Sequence, residues 1–203
     1  TRQIAVAFAV TVALLTIGTE TGSGLTAFGA LLLAIAWTAA GVAFAGLIRS
    51  SRAKDRLHAR CVMAFWTVGI ASSLLFAAGL AIHHYGLVAA AAWIMVFGFA
   101  APIYATVAHR VLPFFTSNAV TSIVPWRPNW VLALLLSAVL AFGAIQLGGR
   151  AALIAQTQGA WLTLAVIGPA AIALTLLAIR WGPLQSMRGR SLRLLAMLHL
   201  GFV

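Results

Sequence analysis

Met95-Val-Phe-Gly-Phe-Ala-Ala-Pro102-Ile-Tyr104-Ala-Thr-Val-Ala-His109-Arg110-Val-Leu-Pro113-Phe-Phe-Thr-Ser117 opens as an apolar run and closes on a histidine, an arginine and a proline. Extended back to Leu87, the run reaches the roughly 20 apolar residues that a helix needs to cross a bilayer. A strand of a membrane barrel would be shorter and would alternate polar with apolar residues; this run does neither, so it reads as a transmembrane helix. Its histidine is titratable and metal-capable. Ionisable side chains are expensive at such depth, which makes His109 the first functional candidate in the chain.

The remainder has the same character. The chain is 63% hydrophobic and 7% charged, with a mean hydropathy of +1.06, where soluble domains carry about 25% charged residues. The expected fold is all-α: a polytopic transmembrane helical bundle, with residues 1–203 as a single transmembrane domain. Apolar runs near 3–18, 25–48, 61–82, 87–112, 129–147, 158–180 and 191–203 give about seven spans. Connections are short except at 49–60 and 113–128. The first residue is not Met and the last run stops at Leu200-Gly-Phe-Val203, so the chain reads as a piece of a longer protein. Arg2 and the apolar stretch after it resemble a signal peptide, but the small-residue cleavage pattern is poor.

A formal charge of +11 suggests nucleic acid, yet the cations lie between apolar runs, where they set topology and meet anionic lipid. No nucleic-acid partner is expected; the partner is the lipid bilayer. Alternating spans put twelve of the thirteen Lys and Arg residues on one side and leave Arg150 alone on the other. That asymmetry predicts a cytoplasmic N-terminus and an outward-facing His83–Gly86 turn. Trp126, Trp130 and Trp181 fall near the cytoplasmic interface. The one cysteine, Cys61, excludes a disulfide framework.

Chemistry is limited by the acids. Glu20 and Asp55 are the only two, and both fall in loops. Paired carboxylates for acid–base work and intramembrane carboxylates for proton or cation coupling are absent, which disfavours a hydrolase or a carboxylate-based carrier. Histidine remains. One face of the fourth span carries His109 with Ala105, Pro102 and Gly98, a smooth surface that a flat macrocycle or a helix could approach. Pro102 removes a backbone donor and is expected to kink the helix. His109 reads either as a metal or haem ligand or as a hydrogen-bonded helix-end histidine, with Arg110 holding an anionic group or a lipid phosphate. His199 lies about 12 Å into the last span; it could meet His109 as a second axial ligand, or make an interhelical hydrogen bond of about 0.6 kcal/mol. His83 and His84 are adjacent, so sharing one copper requires a non-helical backbone; otherwise they are solvated loop residues. His58 is expected to be solvated in the basic loop. The four methionines are scattered and read as packing. Pro113-Phe-Phe-Thr-Ser-Asn118 is expected to leave the helix and either re-enter the membrane or lie flat at its surface.

Val96–Phe115 with His109-Arg110-Val-Leu-Pro113-Phe-Phe resembles the NnrS family. Arg127-Pro128-Asn-Trp130 is similar to an Arg-Pro-x-Trp element of that family, and Arg193-Leu-Leu-Ala-Met197-Leu-His199-Leu-Gly201-Phe202 to its later Leu-His-x-Gly region. The similarity runs from about residue 90 to 203. The resemblance implies a bacterial inner-membrane protein of about twelve spans. It further implies haem and copper as cofactors, and a part in the response to nitric oxide and nitrosative stress, often beside denitrification, in binding or handling nitric oxide or metal–nitrosyl species. It does not supply a defined reaction. The family's N-terminal Trp-His-x-His-Glu-type motif does not occur here. A competing reading is a permease or channel for a small solute, for which a kinked fourth span and a re-entrant segment would speak. A third is a structural subunit.

Overall fold

The computed structural model describes residues 23–53, 55–119, 124, 126–151 and 155–181. Among these, every regular element is a helix. Five are long and apolar enough to cross a membrane: α1 (Ser23–Ser50), α2 (Leu57–Ala81), α3 (Tyr85–Ala119), α4 (Asn129–Arg150) and α5 (Gln156–Trp181). They correspond to the five expected spans from 25–48 to 158–180. The runs at 3–18 and 191–203 lie outside the described residues, and so does His199.

The distribution of exposure is inverted relative to a water-soluble fold. Ile35, Val42, Leu47, Leu164 and Ile172 are exposed, while Ser72, Ser73, Thr106, His109 and Thr116 are buried. Lipid is as apolar as leucine, so helices associate through small residues and buried polar contacts, not by hiding their large side chains. The contacts group the chain into two compact units, Thr1–Ile103 and Tyr104–Val203.

In the first unit α1 packs along α2, and α2 along the first part of α3. The two helices meet closely at Gly41, where an added Cβ would lie 3.0 Å from the Trp66 ring. Such close approach brings Trp66 Nε1 to within 2.9 Å of the Trp37 carbonyl, to which it donates. Ser72 and Ser73 both donate to the Gly69 carbonyl, at 3.0 and 2.9 Å.

The α1–α2 connection consumes its own charges. Asp55 accepts from the Leu57 N–H at 3.0 Å, placing a carboxylate at the positive end of α2. Arg56 donates to the carbonyls of Ala53 at 3.1 Å, Ile48 at 3.4 Å and Ser51, satisfying the exposed end of α1. With its end held this way, α2 starts at Leu57, four residues before the expected 61. His58 is thereby drawn into the first helical turn and is 6% exposed, contrary to the expected solvated loop position.

The α2–α3 turn is a Schellman cap. His83 has φ 54°, the His83 N–H donates to Leu80 O at 3.2 Å, and the His84 N–H to Gly79 O at 2.8 Å. His84 then caps α3, its Nδ1 accepting from the Leu87 N–H at 3.0 Å.

Helix α3 departs from expectation at both prolines. Before Pro102 the turn widens into a π-helix over Met95–Ala100, with the Ala101 N–H reaching back five residues to Val96 O. Proline's missing N–H and its ring leave no room for the ordinary bond to Gly98, and the wide turn absorbs the defect. The same solution recurs in α5, where Thr163–Ile167 is π-helical just before Pro169 and the Gly168 N–H bonds Thr163 O. Pro113 does not end α3. The helix runs on to Ala119 with the proline inside it, so 113–119 is neither loop nor re-entrant. A membrane helix tolerates proline when nearby hydroxyls and neighbouring helices serve the freed backbone; here Thr116 donates to Leu112 O at 2.8 Å and Ser117 to Phe114 O at 3.0 Å.

In the second unit the later turns of α3, the start of α4 and the end of α5 converge. Ala105, Ala108, Leu112, Val131, Leu135, Ala178 and Trp181 form the core, with Trp126, Leu136, Leu174 and Leu177 packed against it.

Candidate functional site

Thr106, His109, Pro113 and Thr116 are spaced three to four residues apart, so they share one face of α3. All four are fully buried. A polar stripe of this kind inside an apolar unit demands partners for its donors and acceptors.

His109 finds one nineteen residues along the chain. Its Nε2 lies 3.2 Å from the carbonyl oxygen of Pro128. A carbonyl only accepts, so this contact requires the proton on Nε2 and leaves the imidazole lone pair on Nδ1. Pro128 has extended backbone just ahead of α4, and its carbonyl also takes the Val131 N–H at 3.0 Å. Pro113 removes the N–H that would otherwise bond the His109 carbonyl, so the peptide around the histidine is held less by its own helix.

Above the imidazole sits Trp181, edge-on, with ring centroids 6.0 Å apart and planes at 74°. The Trp181 Nε1 donates to the Trp126 carbonyl at 3.0 Å. Two ring N–H groups, from α3 and α5, thus hold two carbonyls of the short segment Trp126–Pro128. Trp126 continues the stack, with Trp130 5.9 Å away at 79° and the Arg180 guanidinium 5.0 Å from its ring centre, a cation–π contact.

Of the expected site residues, His109 is the one at the heart of a packed polar cluster. Arg110, one position on, is exposed; adjacent helical residues do not share a face, so it is turned away from the imidazole. His83 and His84 are both exposed in the α2–α3 turn. The backbone there is non-helical, as a shared metal would require, and the Schellman cap accounts for that shape. His199 lies outside the described residues. Among the described residues there is no group of three or more His, Cys, Asp or Glu that could hold a metal.

Sequence reasoning missed Trp181 and Trp126 as partners of the histidine, reading them only as interface aromatics. It also missed Thr106 and Thr116. Their spacing from His109 was a legible signal: threonines at −3 and +7 put polar groups on the histidine's own face.

Five membrane-length helices with polar residues turned inward define a multi-pass helical membrane protein. Within that class, residues 2–203 match the family model described as NnrS protein, and the chain belongs to the NnrS family. No curated protein and no solved structure matches it.

Proposed function

We propose that this chain is part of a bacterial inner-membrane protein that acts in the response to nitric oxide and nitrosative stress, binding or handling nitric oxide with haem and copper as its cofactors. The reading rests on membership of the NnrS family, and the observation that carries it to particular residues is the buried His109–Pro128 bond.

A ligating histidine commonly donates its second ring N–H to a backbone carbonyl, which fixes tautomer and orientation. The Nε2–H···O=C bond to Pro128 has that form and directs metal binding to Nδ1. Copper suits imidazole at either nitrogen. Nδ1 sits beside Cβ and is crowded, so a haem iron at His109 would need Nε2 and the release of Pro128. On this reading copper at His109 would take Nδ1, and haem would require that exchange at Nε2. His199 is the proposed second ligand, and Arg110 the partner of an anionic group such as a propionate. At the α2–α3 turn, where Nδ1 of His84 caps α3, a copper shared with His83 would take Nε2 of His84. A bound metal centre supplies the position at which a small gas coordinates; the protein's residues hold it, orient the imidazole and keep water out beneath Trp181. The N-terminus of the piece is proposed to be cytoplasmic, from the cation asymmetry.

The test is a reduced-minus-oxidised optical spectrum and a copper determination on the full-length protein in detergent, wild type beside His109→Ala and His199→Ala. Loss of a haem band or of copper in a variant that remains folded assigns that histidine to the site. Both cofactors untouched by both variants would remove these residues from the metal site and leave them structural. A wild-type protein that takes up neither, when expressed with adequate supply, would sink the reading.

A further inference from the structure

Trp126–Pro128 is a strap that α3 and α5 each reach with one ring N–H. Pro128 is extended, with φ −70° and ψ 142°, and a residue before proline is steered to the same region. Carbonyls two residues apart in extended chain face the same way, so Trp126 O and Pro128 O can be met from one side. Trp181 Nε1 donates to the first at 3.0 Å, and His109 Nε2 lies 3.2 Å from the second.

The two bonds differ in tolerance. At 3.2 Å the histidine contact sits at the long end of the N–H···O range, and beyond about 3.6 Å a hydrogen bond is lost. A drift of a few tenths of an ångström in Pro128 O therefore decides whether Nε2–H is held. Two restraints limit that drift. The Val131 N–H donates to the same oxygen at 3.0 Å and fixes it to the first turn of α4. The Trp181 indole fixes the chain two residues earlier, where Pro128, having no N–H, can add no tie of its own. Trp181 is buried in the core with Leu112, Val131 and Leu135, so its donor comes from a well-packed place. Trp126 is only half-buried and Arg127 is exposed, so the strap depends on being tied.

We propose that Trp181 is a positioning residue for His109: its indole N–H, by holding Trp126 O, keeps Pro128 O against Nε2 and the ring proton on that nitrogen. It acts through the strap as well as by covering the imidazole. The consequence for chemistry rests on the metal reading above: a tied strap keeps a metal off Nε2, and an untied one releases that nitrogen.

The test follows the Nε2 proton of His109 by NMR in the full-length, metal-free protein in detergent, isotope-labelled at the histidine ring nitrogens. Its exchange with solvent is measured. Trp181→Phe keeps a ring over the imidazole and removes the donor. A tryptophan analogue at 181 with sulfur in place of the ring nitrogen keeps the whole shape, and serves if the phenylalanine variant does not fold. Either should speed exchange about fivefold, the equivalent of one hydrogen bond. Trp66→Phe, which removes the corresponding donor to Trp37 O, should leave the rate unchanged. A wild-type rate in the folded position-181 proteins would overturn the proposal. So would an equal rise in Trp66→Phe, which would trace the effect to general loosening, or a wild-type Nε2 that carries no proton. Copper and haem are determined in parallel on His109→Ala. Faster exchange at position 181 with both cofactors surviving His109→Ala would support the positioning role and remove the metal reading alone.

Discussion

Each unit contains a cluster of rings in edge-on contact, and each ties one indole N–H to a main-chain carbonyl. In the first unit Trp37, Trp66 and Phe99 meet with centroids 4.9 to 5.8 Å apart and planes near perpendicular, and Trp66 donates to Trp37 O. In the second, Trp181 stands over His109 and donates to Trp126 O. The first cluster is closed on glycine, with Phe99 lying against Gly69, and holds no group that changes charge. The second encloses an imidazole. The same device, perpendicular aromatics with one indole N–H bonded to a main-chain carbonyl, is used in one place to join helices and in the other to seal a reactive nitrogen heterocycle from its surroundings. Aromatic packing therefore does not by itself mark a site; the polar ring inside it does.

The largest expected effect separates these two uses. Trp181→Ala should lose about 3–5 kcal/mol, the range for deleting a buried large aromatic, and Trp66→Ala, which removes a half-buried ring, somewhat less, as thermal or denaturant unfolding in detergent would register. Only Trp181→Ala should raise the reactivity of His109 toward diethyl pyrocarbonate, mapped residue by residue by mass spectrometry. Equal reactivity gains in both variants would mean that the seal over His109 depends on the first unit as well, and the contrast between the clusters would fail.

A smaller effect tests the glycine side of the contrast. At Gly69 an added Cβ would lie 2.6 Å from the Phe99 ring, and Phe99 is itself held between Trp37 and Trp66. Gly69→Ala should cost about 1–3 kcal/mol through forced displacement. Gly149→Ala, in the last turn of α4 where an added Cβ meets nothing within 4 Å, should be neutral or gain up to about 1 kcal/mol from helix propensity. Matching losses at the two positions would show that space at the backbone does not distinguish the units.

These contrasts also indicate what was legible in advance. The apolar runs located α1 to α5 within a few residues at most ends, because a span is dictated by continuous hydrophobicity over a fixed length. The exceptions each involve a local interaction that hydropathy does not weigh. Helix α2 begins early because Asp55 caps its first turn while Arg56 ties the connection back to the end of α1, which is also why His58 is buried. Helix α3 outlasts Pro113 because Thr116 and Ser117 bond back into it. For His109 the residue type and the helix that carries it were readable; its partners were not, since Pro128 and Trp181 reach it only through the packing of α4 and α5. The threonine stripe shows that helical spacing could have gone one step further.

The smallest effect concerns the two histidines of the first unit, where a ring and a backbone compete as reasons for a residue's presence. His83 holds φ 54° as the left-handed residue of the cap, a conformation that costs a non-glycine residue about 1–2 kcal/mol. Glycine removes that strain but adds about 0.5–1 kcal/mol of chain entropy to be lost on folding. His83→Gly should thus be neutral to stabilising, by up to about 1.5 kcal/mol, while His84→Ala, which deletes the acceptor for Leu87 N–H, should lose about 1 kcal/mol. Opposite signs in adjacent residues would confirm that the turn needs the imidazole at one position and only the backbone at the other. A clear loss in His83→Gly would mean instead that its ring makes a stabilising contact, and in a copper-loaded sample that disappears with the metal removed, the contact would be the metal.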